Sequence, residues 1–341
     1  MPQSQTQDAV PPSRTAAHRW RLQVVHRTRF HYNGPVRSSY NEARLTPENS
    51  NRQTTLRSKV EIEPSATAYP YRDYWGTTVT AFDLHVPHSE LVVTGTSIVE
   101  AAPEPVVHRF VGWPELGGRD VRDRFGELLT PTRLTAMDEP VVRAARAEVG
   151  AANPHEAGAI VCRFVRDQFG ELLTPTALTT MDDDVVAHAR AAVGGARPHE
   201  AGAKVCRFVG EHMDYLSGAT NVKTNAMQAW ARGLGVCQDI SHVTVGLLRA
   251  LGLPARYVSG YLHPKPDAPI GEAVTGESHA WVEWWDGGWT AFDPTNAVEI
   301  GPRHVTLGRG RDYGDVPPFK GLFSGPKSEG HTVTVEVTRL A

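Results

Sequence analysis

A cysteine that precedes an amphipathic helix has the clearest chemical meaning in this sequence. Two glycines, Gly233 and Gly235, lead to Cys237, and CQDISHVTVGLLRALG then carries an apolar stripe with helical spacing that ends at Gly252. Unpaired backbone N–H groups and the positive end of the helix dipole favour a thiolate at such a start, and the N–H groups can stabilise an oxyanion during acyl transfer. The alternative interpretation of Cys237 is a small buried cysteine that only packs.

A histidine and an aspartate further along the chain supply the other groups that a catalytic thiol needs. HAWVEWWDGGWTAFDP predicts a β-hairpin whose turn is Asp286-Gly287-Gly288. With a three-residue loop, Asp293 pairs with Trp281, whose side chain shares a face with His279 because strand residues alternate. The carboxylate and the imidazole are then diagonal neighbours. A two-residue turn would instead put Asp293 on the opposite face.

The three side chains together predict a nucleophile, its base and the group that orients the base. A catalytic thiol needs a base that holds the thiolate–imidazolium pair, and the base needs a third group that fixes its tautomer. Taken singly, His279 reads as a structural strand histidine and Asp293 as part of a turn. Their joint occurrence with Cys237 at a helix start favours the catalytic interpretation.

The composition is typical of a globular protein and narrows the function classes. The chain has 341 residues, 40% hydrophobic and 21% charged, with a formal net charge of -3 and three cysteines. The length indicates two domains, and the charge argues against nucleic acid or an acidic membrane as partner. No apolar run of about 18 residues predicts a membrane span. Three cysteines exclude a disulfide framework, and the N-terminus lacks the apolar region of a secretion signal, so we expect a cytoplasmic protein.

The N-terminal part of the sequence predicts antiparallel strands. Residues 1–19 lack periodicity and predict a disordered tail. From residue 20 to residue 101, strand-like runs follow one another without a helical stretch, and Asn33-Gly34-Pro35 predicts a turn between them. We therefore expect an antiparallel β domain over 20–101, followed by a linker over 102–120.

An internal repeat separates this region from the chemical motifs. Residues 121–164 recur as residues 165–208 with about three quarters of the positions identical, and both copies predict helices. We expect the second copy to be integrated in the core, because it leads directly to the cysteine motif, and the first copy to be an insertion. Cys162 and Cys206 occupy matching positions in the repeat and predict packing residues.

The chemical motifs resemble those of a known family. Gly235-Val236-Cys237-Gln238-Asp239, LLRALGLPARYVSGY, SHAWVE and GGWTAFDPTN are similar to the bacterial transglutaminase-like superfamily. The resemblance implies a papain-like triad with Cys237 as nucleophile, His279 as general acid/base and Asp293 as orienter. RLQVVHRTRFHYNGPV resembles the start of the β-rich N-terminal domain of this family, and HTVTVEVTRL resembles its final strand.

Together these observations predict an α+β protein. The antiparallel N-terminal β domain is followed by the duplicated helical segment and by a transglutaminase-like core over 165–341, in which the cysteine helix packs on an antiparallel sheet. Tyr215, Gln238 and Trp281 are weaker candidates for the oxyanion site or the cleft wall. For Tyr215 a core or rim position is the stronger alternative. Asp239 predicts a helix cap.

The predicted reaction is cysteine-dependent acyl transfer on amide bonds through a thioester. An amine acceptor would make the enzyme a transglutaminase, and water would make it an amidase or peptidase. A scaffold or binding protein that keeps the fold without turnover is a further alternative. The expected partners are a protein or peptide substrate and a primary amine. The residue pattern predicts no cofactor and no metal.

Overall fold

The computed structural model describes residues 19–103, 111–170, 235–250, 254–285 and 288–341. Within these ranges every strand pair is antiparallel. The strands are β1 (Trp20–Val36), β2 (Ser38–Ala43), β3 (Gln53–Glu63), β4 (Ala68–Arg72), β5 (Thr78–Leu84), β6 (His88–Ala101), β7 (Ala255–Leu262), β8 (Ala273–Trp285), β9 (Trp289–Asp293), β10 (Val298–Glu299), β11 (His304–Gly310), β12 (Phe319–Ser324) and β13 (Ser328–Arg339). The helices are α1 (Trp113–Leu116), α2 (Arg119–Leu129), α3 (Glu139–Val149), α4 (Pro154–Gly170) and α5 (Cys237–Ala250).

A nine-stranded sheet connects the N-terminal strands with the strands that follow the cysteine. Its main path runs β10-β9-β8-β13-β1-β6-β3, and β7 joins β8 to β11. The alternating residues of β1 put Leu22 and Val24 into a buried cluster with Val335 and Val337 of β13. The expected N-terminal β region is therefore present, and its central strand pairs with the last strand of the chain.

One local expectation for the N-terminal strands was wrong, and two strands were not predicted. Asn33-Gly34-Pro35 does not end a strand: β1 continues to Val36, where pairing with His88 resumes after a register shift. Gly34 has a φ of 127°, so the expected turn is absorbed as an irregularity within the strand. The strand-like runs also did not reveal β2 and β4, which lie in a second sheet of order β12-β2-β5-β4. β4 (AYPYR) is exposed at every position, and its proline sits in an edge strand.

The first copy of the repeat forms α2, α3 and α4 up to residue 164, and it packs into the main core. Phe125 of α2 and Val161 of α4 share a buried cluster with Leu248 of α5 and Trp284 of β8. The sequence left open whether the first copy folds against the core, and these contacts show that it does. That the first copy is an insertion stays a prediction. Residues 171–208, which hold most of the second copy, lie outside the described residues, as does Cys206. Cys162 is buried in the same cluster, as predicted.

The two repeat copies differ mainly at positions that are exposed in the first copy. Every residue that is buried in the first copy has the same residue type in the second. Of the eleven positions that differ, ten are exposed in the first copy. The remaining one, Ile160, is half-buried and corresponds to Lys204. Either copy therefore carries the side chains that form this part of the core.

The expected linker also contains regular structure. Residues 104–110 and residues 1–18 of the expected tail (1–19) lie outside the described residues. Trp113 begins α1, and its indole N–H donates to the Ala152 carbonyl at 2.7 Å, which ties this segment to the repeat helices. Among the helices that the structure describes, none combines the length and apolar character needed to cross a membrane.

Candidate active site

A side-chain cap fixes the start of the cysteine helix. The Val236 N–H donates to Asp239 Oδ2 at 2.9 Å, which satisfies a backbone donor at the N-terminus of α5. This confirms the cap predicted for Asp239. A Cβ on Gly235 would lie 2.8 Å from Asp239 Cβ, so the glycine leaves the space that the cap needs. Cys237 is consequently held at the first helical position, where it is half-buried.

The hairpin that follows has the predicted register. Trp285 pairs with Trp289 and Val282 with Phe292, so Asp293 falls opposite Trp281. His279 Nε2 lies 2.7 Å from Asp293 Oδ2, and the aspartate is fully buried. The diagonal contact expected from a three-residue turn is confirmed, although residues 286 and 287 of that turn lie outside the described residues.

Asp293 receives more hydrogen bonds than its sequence motif predicted. Its Oδ1 accepts the backbone N–H groups of Thr295 and Asn296 at 3.0 and 3.1 Å. Its Oδ2 accepts the Asn296 side-chain amide at 2.7 Å and lies 3.3 Å from His304 Nε2. The Asp-Pro-Thr-Asn turn could have indicated the backbone bonds and Asn296. No sequence signal pointed to His304, which arrives from β11.

His304 acts as a fixed hydrogen-bond donor. The Gly301 N–H donates to His304 Nδ1 at 3.2 Å, so the ring proton of the neutral imidazole is on Nε2 and is directed at Asp293. Burial is the main influence on this ring and lowers its pKa, which keeps it neutral. In the described part of the chain, His279, Asp293 and His304 are the one group whose ligand atoms lie close enough to share a metal ion. This arrangement does not fit a metal, because His304 Nε2 has no free lone pair.

The electrostatics of the site favour a protonated imidazole. Burial alone would lower the pKa of His279, but the charge and hydrogen bond of Asp293, together with those of Cys237, raise it to about 10. Burial works against the charged form of Asp293 as well, yet the two histidines hold its pKa far below the usual range. The Asp293 bond occupies Nε2 of His279, which leaves Nδ1 for the thiol. An imidazolium next to sulfur stabilises the thiolate.

The thiol opens into a cavity of about 850 Å³. Cys237 Sγ lies 4.0 Å from the Ser278 carbonyl oxygen at one end of it. The lining combines the start of α5 with the faces of β1, β12 and β13. Aromatic rings line much of the wall, contributed by Phe30, Tyr32, Tyr257, Tyr313, Phe319 and Phe323.

The weaker candidates have different positions. Gln238 lines the cavity next to the thiol, so a role at the cleft stays a prediction. Trp281 is fully buried, packs with Ile300 and contacts the His304 ring edge-on at 5.4 Å. The expectation that Trp281 forms the cleft wall is therefore wrong, because its ring is buried next to His279 and His304 and does not line the cavity. Tyr215 lies outside the described residues.

Comparison with known proteins agrees with this geometry. The Bacterial transglutaminase-like N-terminal region family matches residues 22–100, and the Transglutaminase-like superfamily matches residues 187–294. An uncharacterized protein of Mycobacterium leprae is 42% identical over 94% of this chain and all of its own length. The chain belongs to the transglutaminase-like superfamily. The family match on the core begins within the second repeat copy and ends after Asp293, so it includes Cys237, His279 and Asp293.

Further similar proteins extend the comparison. An uncharacterized protein of Mycobacterium tuberculosis is 31% identical over 95% of this chain and 93% of its own length. A protein-glutamine gamma-glutamyltransferase of Pseudomonas aeruginosa is 34% identical over 80 residues, which are 22% of this chain and 11% of the relative. The crystal structure of a candidate cysteine protease from Cytophaga hutchinsonii has a TM-score of 0.58 at 18% identity, covering 95% of this chain and 93% of the other. The last likeness shows a shared fold.

Proposed function

We propose that this protein catalyses cysteine-dependent acyl transfer on amide groups through a thioester. The observation that carries the proposal is the buried hydrogen bond between His279 and Asp293 beside a cysteine at a helix start. This arrangement supports a thiolate–imidazolium pair, which is the resting state that amide attack by sulfur requires.

In the first half-reaction the Cys237 thiolate attacks the amide carbonyl carbon. The negative charge moves to the carbonyl oxygen, where the backbone N–H at the start of α5 donates to it. His279 then gives its proton to the amide nitrogen. The carbon–nitrogen bond breaks, ammonia or an amine leaves, and a thioester on Cys237 remains.

In the second half-reaction the neutral imidazole of His279 accepts a proton from the incoming nucleophile. The nucleophile attacks the thioester carbon, and the sulfur leaves as the thiolate, which restores the ion pair. We propose a primary amine as acceptor and a protein or peptide amide as donor. The rings of Tyr257 and Tyr313, which pack in one cluster with Cys237, support an amine acceptor, because aromatic rings beside a thioester limit the access of water. Hydrolysis by water is the alternative outcome of the same intermediate.

A scaffold without turnover is the competing class. The five hydrogen bonds to Asp293 argue for catalysis, because they hold a carboxylate in one position deep in the protein. A structural role alone requires no buried charge at this place, since burying an ion is costly.

Two measurements test the proposal. Near pH 6, iodoacetamide should alkylate Cys237 much faster than Cys162 or Cys206, as measured by peptide mass spectrometry. Incubation with a glutamine-containing peptide and a primary amine should then give an amine adduct by mass. Equal slow labelling of all three cysteines would favour the scaffold. Deamidation or cleavage without an adduct would favour the hydrolase.

A further inference from the structure

The last strand of the chain has an edge that is only partly paired and that lies in the cavity of the thiol. On one side, β13 pairs with β1 from Arg339 to Ser328. On the other side, β8 pairs only with Val335–Thr338. In the described ranges no strand pairs with residues 328–334 on this second side. An extended edge of this kind is a template for another strand.

The backbone groups of His331 and Val333 point to the open edge. Directly after β13, the Leu340 N–H donates to the Arg21 carbonyl of β1 at 2.7 Å. Even-numbered residues of β13 therefore direct their backbone groups to β1. The Arg339 carbonyl accepts the Gly271 N–H at 2.8 Å on the opposite side. Odd-numbered residues therefore face away from β1, and His331 and Val333 offer two N–H and two carbonyl groups.

β8 departs from β13 at Gly276 and leads to the catalytic histidine. The Trp285 N–H donates to the Pro254 carbonyl at 2.9 Å, so odd-numbered residues of β8 direct their backbone groups to β7. Even-numbered residues of β8 therefore face the opposite side, on which β13 and β9 pair. Ser278 lies on that side between the two partners, and its carbonyl oxygen is 4.0 Å from Cys237 Sγ. The open edges of β13 and β8 thus form a fork that starts at the Val335–Gly276 pair.

The floor of the cavity along this fork is apolar and aromatic. The Phe30 ring packs on Phe319 with centroids 4.6 Å apart and on His331 at 5.5 Å. Val333 is 46% exposed, although its neighbour two residues on, Val335, is buried. Apolar side chains of a segment bound at this edge would cover Val333 and contact these rings.

We propose, building on the proposed acyl transfer, that the enzyme binds its acyl donor as an extended apolar polypeptide segment that adds as a strand to β13. The backbone of the segment pairs with His331 and Val333, and its reactive residue reaches the thiol on the β8 arm. Val333 and Ser278 are each two residues from the fork, or about 7 Å along each strand. The thiol is therefore within a few residues of the paired backbone.

The test uses a peptide that binds without reacting. Acetyl-KVTVLVTK-amide has leucine in place of a reactive residue, and a second version carries N-methyl groups on alternate residues. We measure how far each peptide slows alkylation of Cys237 by iodoacetamide near pH 6. Val333→Pro removes the N–H at the open edge and leaves the β1 pairing intact. Val60→Pro is the matched control, because Val60 lies in β3 at the other edge of the same sheet, outside the cavity.

The unmethylated peptide should protect Cys237 in the wild type and in Val60→Pro. In Val333→Pro the half-protecting concentration should rise about fivefold or more, with protection measured against the labelling rate of the same variant without peptide. The N-methylated peptide should not protect the wild type, which tests the proposal even if a proline variant folds poorly. Equal protection by both peptides, or in all three proteins, would overturn strand addition.

Two further results distinguish strand addition from an inactive thiol and from self-association. Slow labelling of Cys237 in the wild type without peptide contradicts the proposed function itself, whereas fast labelling without peptide protection contradicts only the strand addition. A wild-type dimer in sedimentation that becomes monomeric in Val333→Pro would assign the edge to a second copy of this chain and overturn the proposal.

Discussion

Replacing Asp293 by asparagine tests the triad by exchanging one oxygen for an NH₂ group. Oδ1 accepts two backbone N–H groups, from Thr295 and Asn296, and Oδ2 accepts from His279, His304 and the Asn296 amide. Every one of these contacts needs a lone pair on the aspartate. An asparagine has a single oxygen, so in either orientation its NH₂ group faces donors. The orientation that keeps the backbone bonds turns the NH₂ group toward the imidazole of His279.

The size of the effect follows from the pKa of His279. That pKa is about 10 because the carboxylate outweighs the opposing effect of burial. Without the carboxylate, burial becomes the main influence, so the pKa of His279 should fall by more than about 3.5 units, from about 10 to below the ordinary 6.5. This fall corresponds to about 5 kcal/mol and to more than a thousandfold in kcat/KM. When the imidazole loses its charge, the sulfur loses the positive neighbour that holds the thiolate, so alkylation of Cys237 near pH 6 should slow by about a hundredfold or more.

The assay is the rate of iodoacetamide labelling at Cys237 near pH 6, followed by peptide mass spectrometry. Asp83→Asn is the matched control, because Asp83 also bonds a histidine, His85, at 2.7 Å, but on the exposed surface. The control should label like the wild type. An Asp293→Asn protein with a native circular dichroism spectrum that labels within threefold of the wild type would refute the reasoning about the triad.

Three further predictions concern stability, positioning and the repeat. Glu283 is buried between Arg256 and Arg309, and its pKa is lowered to about 2. Glu283→Gln should therefore lower the free energy of unfolding in urea by about 3 kcal/mol at neutral pH. This penalty should shrink as the pH falls from about 4.5 toward 2, because the wild-type carboxylate is then protonated. A penalty independent of pH over that range would contradict this. His304→Phe keeps an aromatic ring but removes a donor to the Asp293 carboxylate, so initial rates should show about tenfold lower kcat with unchanged KM. A change in KM alone would indicate a different role. Deleting residues 165–208 leaves one set of the buried repeat side chains, so the shortened chain should keep fast labelling of Cys237. An unfolded product would show that both copies are required.

The site was predictable from sequence where chemistry and strand geometry act locally. The alternation of strand residues and a three-residue turn predicted the register that brings Asp293 to His279. The cap on the cysteine helix also followed from local spacing, since Asp239 reaches back over one turn. Each of these predictions needed only neighbours in the chain or in one hairpin.

The features that the sequence did not reveal depend on contacts between distant segments. His304 reaches Asp293 because β11 pairs with β7 and not with the catalytic hairpin. Trp281 shares the face of His279, as expected, but packing with Ile300 buries it completely. The alternating pattern places both residues on one face of the strand, but it could not reveal which of them lines the cavity. The pairing of β1 with β13 likewise joins opposite ends of the chain.

The repeat shows why duplicated segments are hard to assign from sequence. Both copies have the same residue types at the buried positions, so the pattern cannot tell which copy packs against the cysteine helix. The position next to the cysteine motif favoured the second copy. The first copy occupies the core cluster with Leu248 and Trp284, and ten of the eleven positions at which the two copies differ are exposed in it.

The ion pair between Cys237 and His279 is the central claim, and ultraviolet absorbance of the thiolate near 240 nm tests it most directly. The difference spectrum between the wild type and Cys237→Ser is recorded from pH 4 to pH 9. We predict that thiolate absorbance is already present near pH 6, because the imidazolium that Asp293 stabilises holds the negative sulfur. Absorbance that appears only above about pH 8, as for an ordinary cysteine, would contradict the account.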